Sequence, residues 1–141
     1  MNVHPCTIDD AEDIYRCRID STTVKWSFLP PPASLKEHIN WFKTALESGR
    51  YSYYKGVTSK DEFIGFVRFE RTELGIDVSI CLSREYRGFG LSKVLVQEAI
   101  NQFISAHGEQ RYYTQIMIGN VASFRLFAEL REQEKGEREQ E

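Results

Sequence analysis

The sequence predicts one mixed α/β domain, and three observations carry that expectation. Two segments near the start repeat apolar residues at helical spacing, the stretch from Tyr51 to Leu82 alternates as strands do, and an amphipathic helix separates that stretch from one further strand. Strands joined by short polar turns pair antiparallel, whereas a strand, a crossover helix and a strand in sequence favour parallel pairing. The expected architecture is a mixed central sheet, an antiparallel meander with a parallel pair at one side, flanked by helices.

Residues 2 to 6 read as a short strand, and Thr7 with Asp10 as a capping box opening a helix through Ala11, Ile14 and Tyr15 that ends near Arg18. Asp20 to Ala33 holds Trp26, Phe28 and the run Pro30-Pro31-Pro32, which lacks backbone donors, so it reads as a loop carrying aromatic side chains. Ser34 and Glu37 form a second capping box. Behind it Leu35, Ile39, Phe42 and Leu46, with His38 and Ala45 between them, keep one buried helical face until Gly49. Three strands follow, at 51 to 57, 63 to 70 and 76 to 82. In the third, Ile76, Val78, Ile80 and Leu82 share one face, and Asp77, Ser79 and Cys81 the other. Past Gly88 and Gly90 a helix runs through Leu91, Leu95, Ala99 and Phe103, then a strand from Tyr112 to Ile118 and a helix from about Val121. Residues 131 to 141 contain no apolar side chain and read as a frayed helix end or a charged tail, leaving 1 to 130 as the domain.

The 141 residues suffice for one substantial core. With 18 Lys and Arg against 21 Asp and Glu, a net charge of -3, there is no basic excess to neutralise a phosphate backbone, so nucleic acid is not an expected partner. Cys6, Cys17 and Cys81 lack the number and spacing of a disulfide framework or a zinc site and read as free thiols in a reducing cytoplasm. No metal is expected. No apolar run approaches the roughly 20 residues of a membrane span, and the start lacks the pattern of a signal peptide.

The segment that carries chemistry is Ser83-Arg84-Glu85-Tyr86-Arg87-Gly88-Phe89-Gly90-Leu91-Ser92, between a buried strand and an amphipathic helix. Small residues let backbone approach a ligand, and the first amides of a helix are unpaired donors, which together make an anion site suited to a pyrophosphate. Arg87 is expected to add charge-assisted hydrogen bonds there. The plainer reading is a strand-to-helix turn with glycines for its geometry. Neither a P-loop nor a dinucleotide fingerprint is present.

The run Arg87-Gly88-Phe89-Gly90-Leu91-Ser92 resembles the acetyl-CoA loop of the GNAT superfamily of N-acetyltransferases, Arg/Gln-x-x-Gly-x-Gly/Ala, from which only Ser92 departs. A second stretch, Asn120-Val121-Ala122-Ser123-Phe124-Arg125-Leu126-Phe127, looks like the family signature in which an Asn after the fifth strand opens a helix and helps hold the pantetheine arm. The resemblance implies acetyl-CoA as co-substrate, a primary amine as acceptor, and fourth and fifth strands that splay apart. Pantetheine amides would then pair with main chain around Ile80, Cys81 and Leu82. Asp77 is the implied base, with Glu73 second; it borders the acceptor side together with Trp26 and Phe28. Many family members carry a Tyr as general acid where this chain has Phe127, which has no proton to give.

After Leu130 the family pattern continues through Gly-Phe into two more strands, whereas here Arg131 and the charged residues follow. The expectation is a sheet without those final strands, whose edge at 112 to 118 a second copy would cover in a homodimer. His38-Ile39-Asn40-Trp41-Phe42, after the Trp26-bearing loop, looks like the subgroup that acetylates nucleotide-linked amino sugars, with the RimJ/RimL-like protein N-terminal acetyltransferases close by. A non-catalytic acyl-CoA-binding or dimerisation module is the other class that Phe127 and the ending leave open.

Overall fold

The computed structural model describes the backbone of residues 1–140 and the side chains of residues 1–136. After β1 (Asn2–Pro5), the Thr7 hydroxyl accepts from the Asp9 amide, and the Asp10 carboxylate accepts from the Thr7 amide at 2.8 Å. This capping box opens a single 3-10 turn that runs into α1 (Ala11–Ile19).

The segment expected to be a loop begins with a helix, α2 (Ser21–Trp26). Its cause is Asp20, whose carboxylate accepts from the amides of Thr22 at 3.2 Å and Thr23 at 3.5 Å and so caps the turn. The prolines forbid helix only further on. At α3 (Leu35–Glu47) the Ser34 hydroxyl accepts from the Glu37 amide at 3.1 Å.

The sheet runs in chain order, β1, β2 (Tyr51–Val57), β3 (Phe63–Thr72), β4 (Gly75–Leu82) and β5 (Tyr112–Tyr113), with α4 (Leu91–His107) crossing between the last two. All neighbours are antiparallel except β4 and β5, which pair in parallel through Ile76 with Tyr112 and Asp77 with Tyr113. β5 is far shorter than the strand expected over 112 to 118. Thr114 bonds the Val78 carbonyl through its hydroxyl at 2.8 Å, and beyond it the chain peels away to an Ile118 that is 99% exposed. Ladder pairing ends where a side chain replaces the backbone rung.

One face of the sheet packs Val67, Phe69, Ile76, Val78 and Leu82 against Leu95, Val96, Ala99 and Phe103 of α4, with Phe69 and Phe103 stacked at 4.6 Å. Fully burying each of these side chains larger than alanine contributes about 1.5–3 kcal/mol. Leu126, Phe127 and Leu130 of α5 (Val121–Gln140) extend that core. The residues read as a tail continue this helix, for they are mostly Glu, Gln, Arg and Lys, which are good helix formers. Position 141 of that tail lies outside the described residues. The other face packs Tyr53 and Phe66 under Ala11, Ile14 and Cys17 of α1 and Phe42 of α3. Past Tyr53 and Tyr51 that second core gives way, along the same two rows, to Arg68 with Ser79 and Glu70 with Asp77, a half-buried polar strip beside β5.

Candidate active site

β4 ends at Leu82, and after one 3-10 turn (Arg84–Tyr86) the chain reverses through Gly88 and Gly90, with φ of 85° and 73°. Side chains rarely adopt that left-handed backbone, and a Cβ at either position would meet nothing within 4 Å, so the glycines serve conformation and open space. α4 starts with no side-chain cap. Among the described residues, the amides of Gly88, Phe89 and Gly90 donate to no protein acceptor, and the first-turn amides of Leu91, Ser92 and Lys93 have none within the helix. These outward donors at a positive dipole end form a cradle that fits a pyrophosphate. Phe89, 72% exposed, stands at its rim.

Arg87 does not turn its guanidinium toward this cradle. Nε and Nη2 donate to the Leu82 carbonyl at 3.1 and 3.0 Å, Nη2 also to Thr23 Oγ1 at 3.3 Å, and Nη1 pairs with Asp20 at 2.9 Å. The side chain is a strut from the loop to α2. Burial alone would raise the Asp20 carboxyl, but the Arg87 bond and charge, the Thr23 amide and Arg84 outweigh it and hold the group below its ordinary range. The hydrogen bonds expected of Arg87 toward an anion go instead to Leu82, Thr23 and Asp20.

The backbone pairing of β4 with β5 ends at Asp77 and Tyr113. Ile80 and Leu82 lie on the core side of β4, and Cys81 faces α1 and α2, where its Sγ is 3.3 Å from Thr23 Oγ1 and 3.8 Å from the Cys17 carbonyl. Contact with Cys81 and burial keep the Cys17 thiol protonated. All three cysteines are free. Asn120 caps α5 by accepting from the Ser123 amide at 3.3 Å, which is the local geometry the sequence implied. Phe127 packs against the α4 core.

On the polar strip Asp77 lies 3.8 Å from Arg68, its side chain 14% exposed. Burial raises its carboxyl, opposed by Arg68 and reinforced by Glu70, which moves it toward the range where a general base works. Arg68 is also 4.0 Å from Glu70, while Glu70 holds Arg50 at 3.0 Å. Glu73 sits apart in the exposed β3–β4 turn. Trp26 packs over Gly119, 3.6 Å from where its Cβ would be, so it spans from α2 to the turn before α5; Phe28 is 58% exposed.

The structure adds residues that the sequence reading did not single out. Arg18 leaves the end of α1 to donate to Nδ1 of the fully buried His38 at 3.2 Å, and its guanidinium lies 5.1 Å from the Trp41 ring centre. Burial first, then Arg18, lowers His38 to about 4, so the ring is neutral and accepts on Nδ1. Arg68 and Asp20 join the site only through tertiary placement. The signal available for Arg68 was a charged residue between Val67 and Phe69, directly after a stretch, Phe63 to Val67, that carries no polar side chain.

The sequence profile of the acetyltransferase (GNAT) domain family matches residues 1–131. No curated protein matches the chain. Among solved structures, the spermidine N-acetyltransferase from Vibrio cholerae in complex with CoA and spermine superposes with a TM-score of 0.81 at 14% identity, over 91% of this chain and 78% of that one. The spermidine/spermine N-acetyltransferase SpeG from Vibrio cholerae in complex with manganese ions gives a TM-score of 0.74 at 16% identity, over 91% and 75%. At such identities the likeness is one of fold.

Proposed function

The chain belongs to the acetyltransferase (GNAT) domain family, and we propose on that premise that it moves the acetyl group of acetyl-CoA to a primary amine of a small molecule. One observation carries the reading: the uncapped α4 start with its free loop amides follows directly on β4, whose backbone pairing with β5 ends at Asp77 and leaves its second half without that neighbour. Residues Arg87 to Ser92 would hold the pyrophosphate by backbone, and Ile80, Cys81, Leu82, Asn120 and Phe127 would line the arm. Acetyl-CoA supplies an activated thioester.

The chain's own part is to bind, orient and move protons. Asp77 takes a proton from the incoming ammonium, directly or through a water, because an amine attacks only when neutral. Burial beside Arg68 sets its basicity. Phe127 gives no proton, so the departing thiolate is protonated by solvent or leaves as the anion. Trp26, in the intervening helix, and Phe28 border the acceptor side. A nucleotide-linked amino sugar is the acceptor we carry forward; a polyamine, named for the Vibrio cholerae structure, is the alternative.

Calorimetric titration with acetyl-CoA tests the reading. Saturable binding by the full chain, abolished in Gly90→Trp, is expected; a folded chain that binds no acetyl-CoA refutes it.

A further inference from the structure

We propose that the acceptor amine also carries an oxyanion group, a carboxylate or a phosphate, and that Arg18 together with Arg68 receives that group on the polar strip facing α1 and α3. The inference rests on the acetyl-transfer reading above and narrows its substrate class.

Position comes first. Arg68 lies between Tyr53 and Ser79 in one row of the sheet and reaches Asp77, the proposed base, in the next row. Trp41 and Tyr51 meet edge to face at 5.6 Å; the Arg18 guanidinium lies over the first ring at 5.1 Å and that of Arg68 over the second at 6.0 Å. With Arg50 over the Tyr51 ring as well, at 5.6 Å, three cations flank one aromatic pair next to the reacting end of the site.

Charge decides what they await. Among the described residues, Arg18, Arg50 and Arg68 gather here against Glu70 and Asp77. Arg50 takes Glu70 at hydrogen-bond distance. Arg68 stands 3.8 and 4.0 Å from Asp77 and Glu70, too far for hydrogen bonds, and its buried Nε has no partner among the described residues. Arg18 has no carboxylate within 4.0 Å among the described residues; its hydrogen bond goes to a neutral imidazole. A guanidinium offers five donors in a planar fork suited to carboxylate or phosphate, and a half-buried cation without an anion is unfavourable. Burial, opposed by Tyr53 and reinforced by Arg68, lowers the Arg18 pKa, a cost that a bound oxyanion would offset. A polyamine would bring more positive charge to a strip already cationic.

The test compares acceptors that differ in the anionic group: ornithine with putrescine, and glucosamine 6-phosphate with glucosamine, on the full chain at saturating acetyl-CoA. The anionic member of at least one pair should show a kcat/KM higher by about tenfold or more. Arg18→Ala should erase that ratio through KM while leaving acetyl-CoA affinity unchanged, and Arg18→Lys should restore part of it. No preference for the anionic member in either pair, or turnover of spermidine equal to or better than that of both anionic amines, overturns the inference and leaves acetyl transfer standing. Should none of these amines react, inorganic phosphate titrated into the CoA-saturated chain decides: binding lost in Arg18→Ala supports the anion site, and no binding overturns it. Failure to bind acetyl-CoA at all is the separate result that removes the reading beneath.

Discussion

Replacing Asp20 separates two things its carboxylate does. It caps α2 through the amides of Thr22 and Thr23, and it holds Arg87 at 2.9 Å and Arg84 at 3.5 Å. Asn at position 20 keeps a capping oxygen and loses the charge; Ala loses both. Loss of the cap costs about 1 kcal/mol. The Arg87 pair is part-buried, with side chains 29% and 14% exposed, and its loss costs about 1 kcal/mol, near the top of the surface range. Arg84 is 70% exposed and adds little. Asp20→Asn should therefore lose about 1 kcal/mol and Asp20→Ala about 2 kcal/mol at pH 7 in urea unfolding, with Tm falling about 4 °C per kcal/mol. Because the folded-state carboxyl lies below its ordinary 3.8, its contribution is present above that pH and fades as the pH falls through the lower folded value. The gap between wild type and Asp20→Asn should close in acid. An Asp20→Asn chain as stable as wild type at pH 7, or a gap unchanged at low pH, would refute the strut.

Three further outcomes follow from the site. Asp77→Asn should lower kcat by about 100-fold or more with acetyl-CoA binding intact, as measured by CoA release and calorimetry, since a positioned base contributes that much. Phe127→Tyr, which places a phenol at the position where many family members carry their acid, should raise kcat in the same assay; an unchanged rate would mean that thiolate protonation does not limit turnover. His38, lowered to about 4 from 6.5, binds its proton more readily in the unfolded chain, so stability should decline as pH falls from 6.5 toward 4. Urea midpoints across that window should flatten in His38→Phe.

The alternation in residues 51 to 82 and the helical periods around it were enough to place the meander, the crossover and the glycine turn before α4, because binary patterning is written locally. Capping was legible at Thr7 and, less fully, at Ser34. It was missed at Asp20, where the proline run further on drew the whole segment toward a loop reading and hid a short helix. β5 was overestimated because the apolar residues of 112 to 118 signal burial and not which neighbour supplies the rungs. The orientation of Arg87 and the meeting of Arg18, His38, Trp41 and Arg68 depend on contacts between distant segments, which local patterning does not specify.

The strut from Arg87 to Asp20 and Thr23 also bears on redesign. Libraries that randomise positions 20 to 29 would also loosen the glycine loop that Arg87 ties to α2, and a loop grafted from a relative would arrive without its counterpart. Positions 20, 23 and 87 are one transferable unit, to be kept together or exchanged together, while Phe28 and Leu29, exposed and outside the strut, are the places where variation is freest.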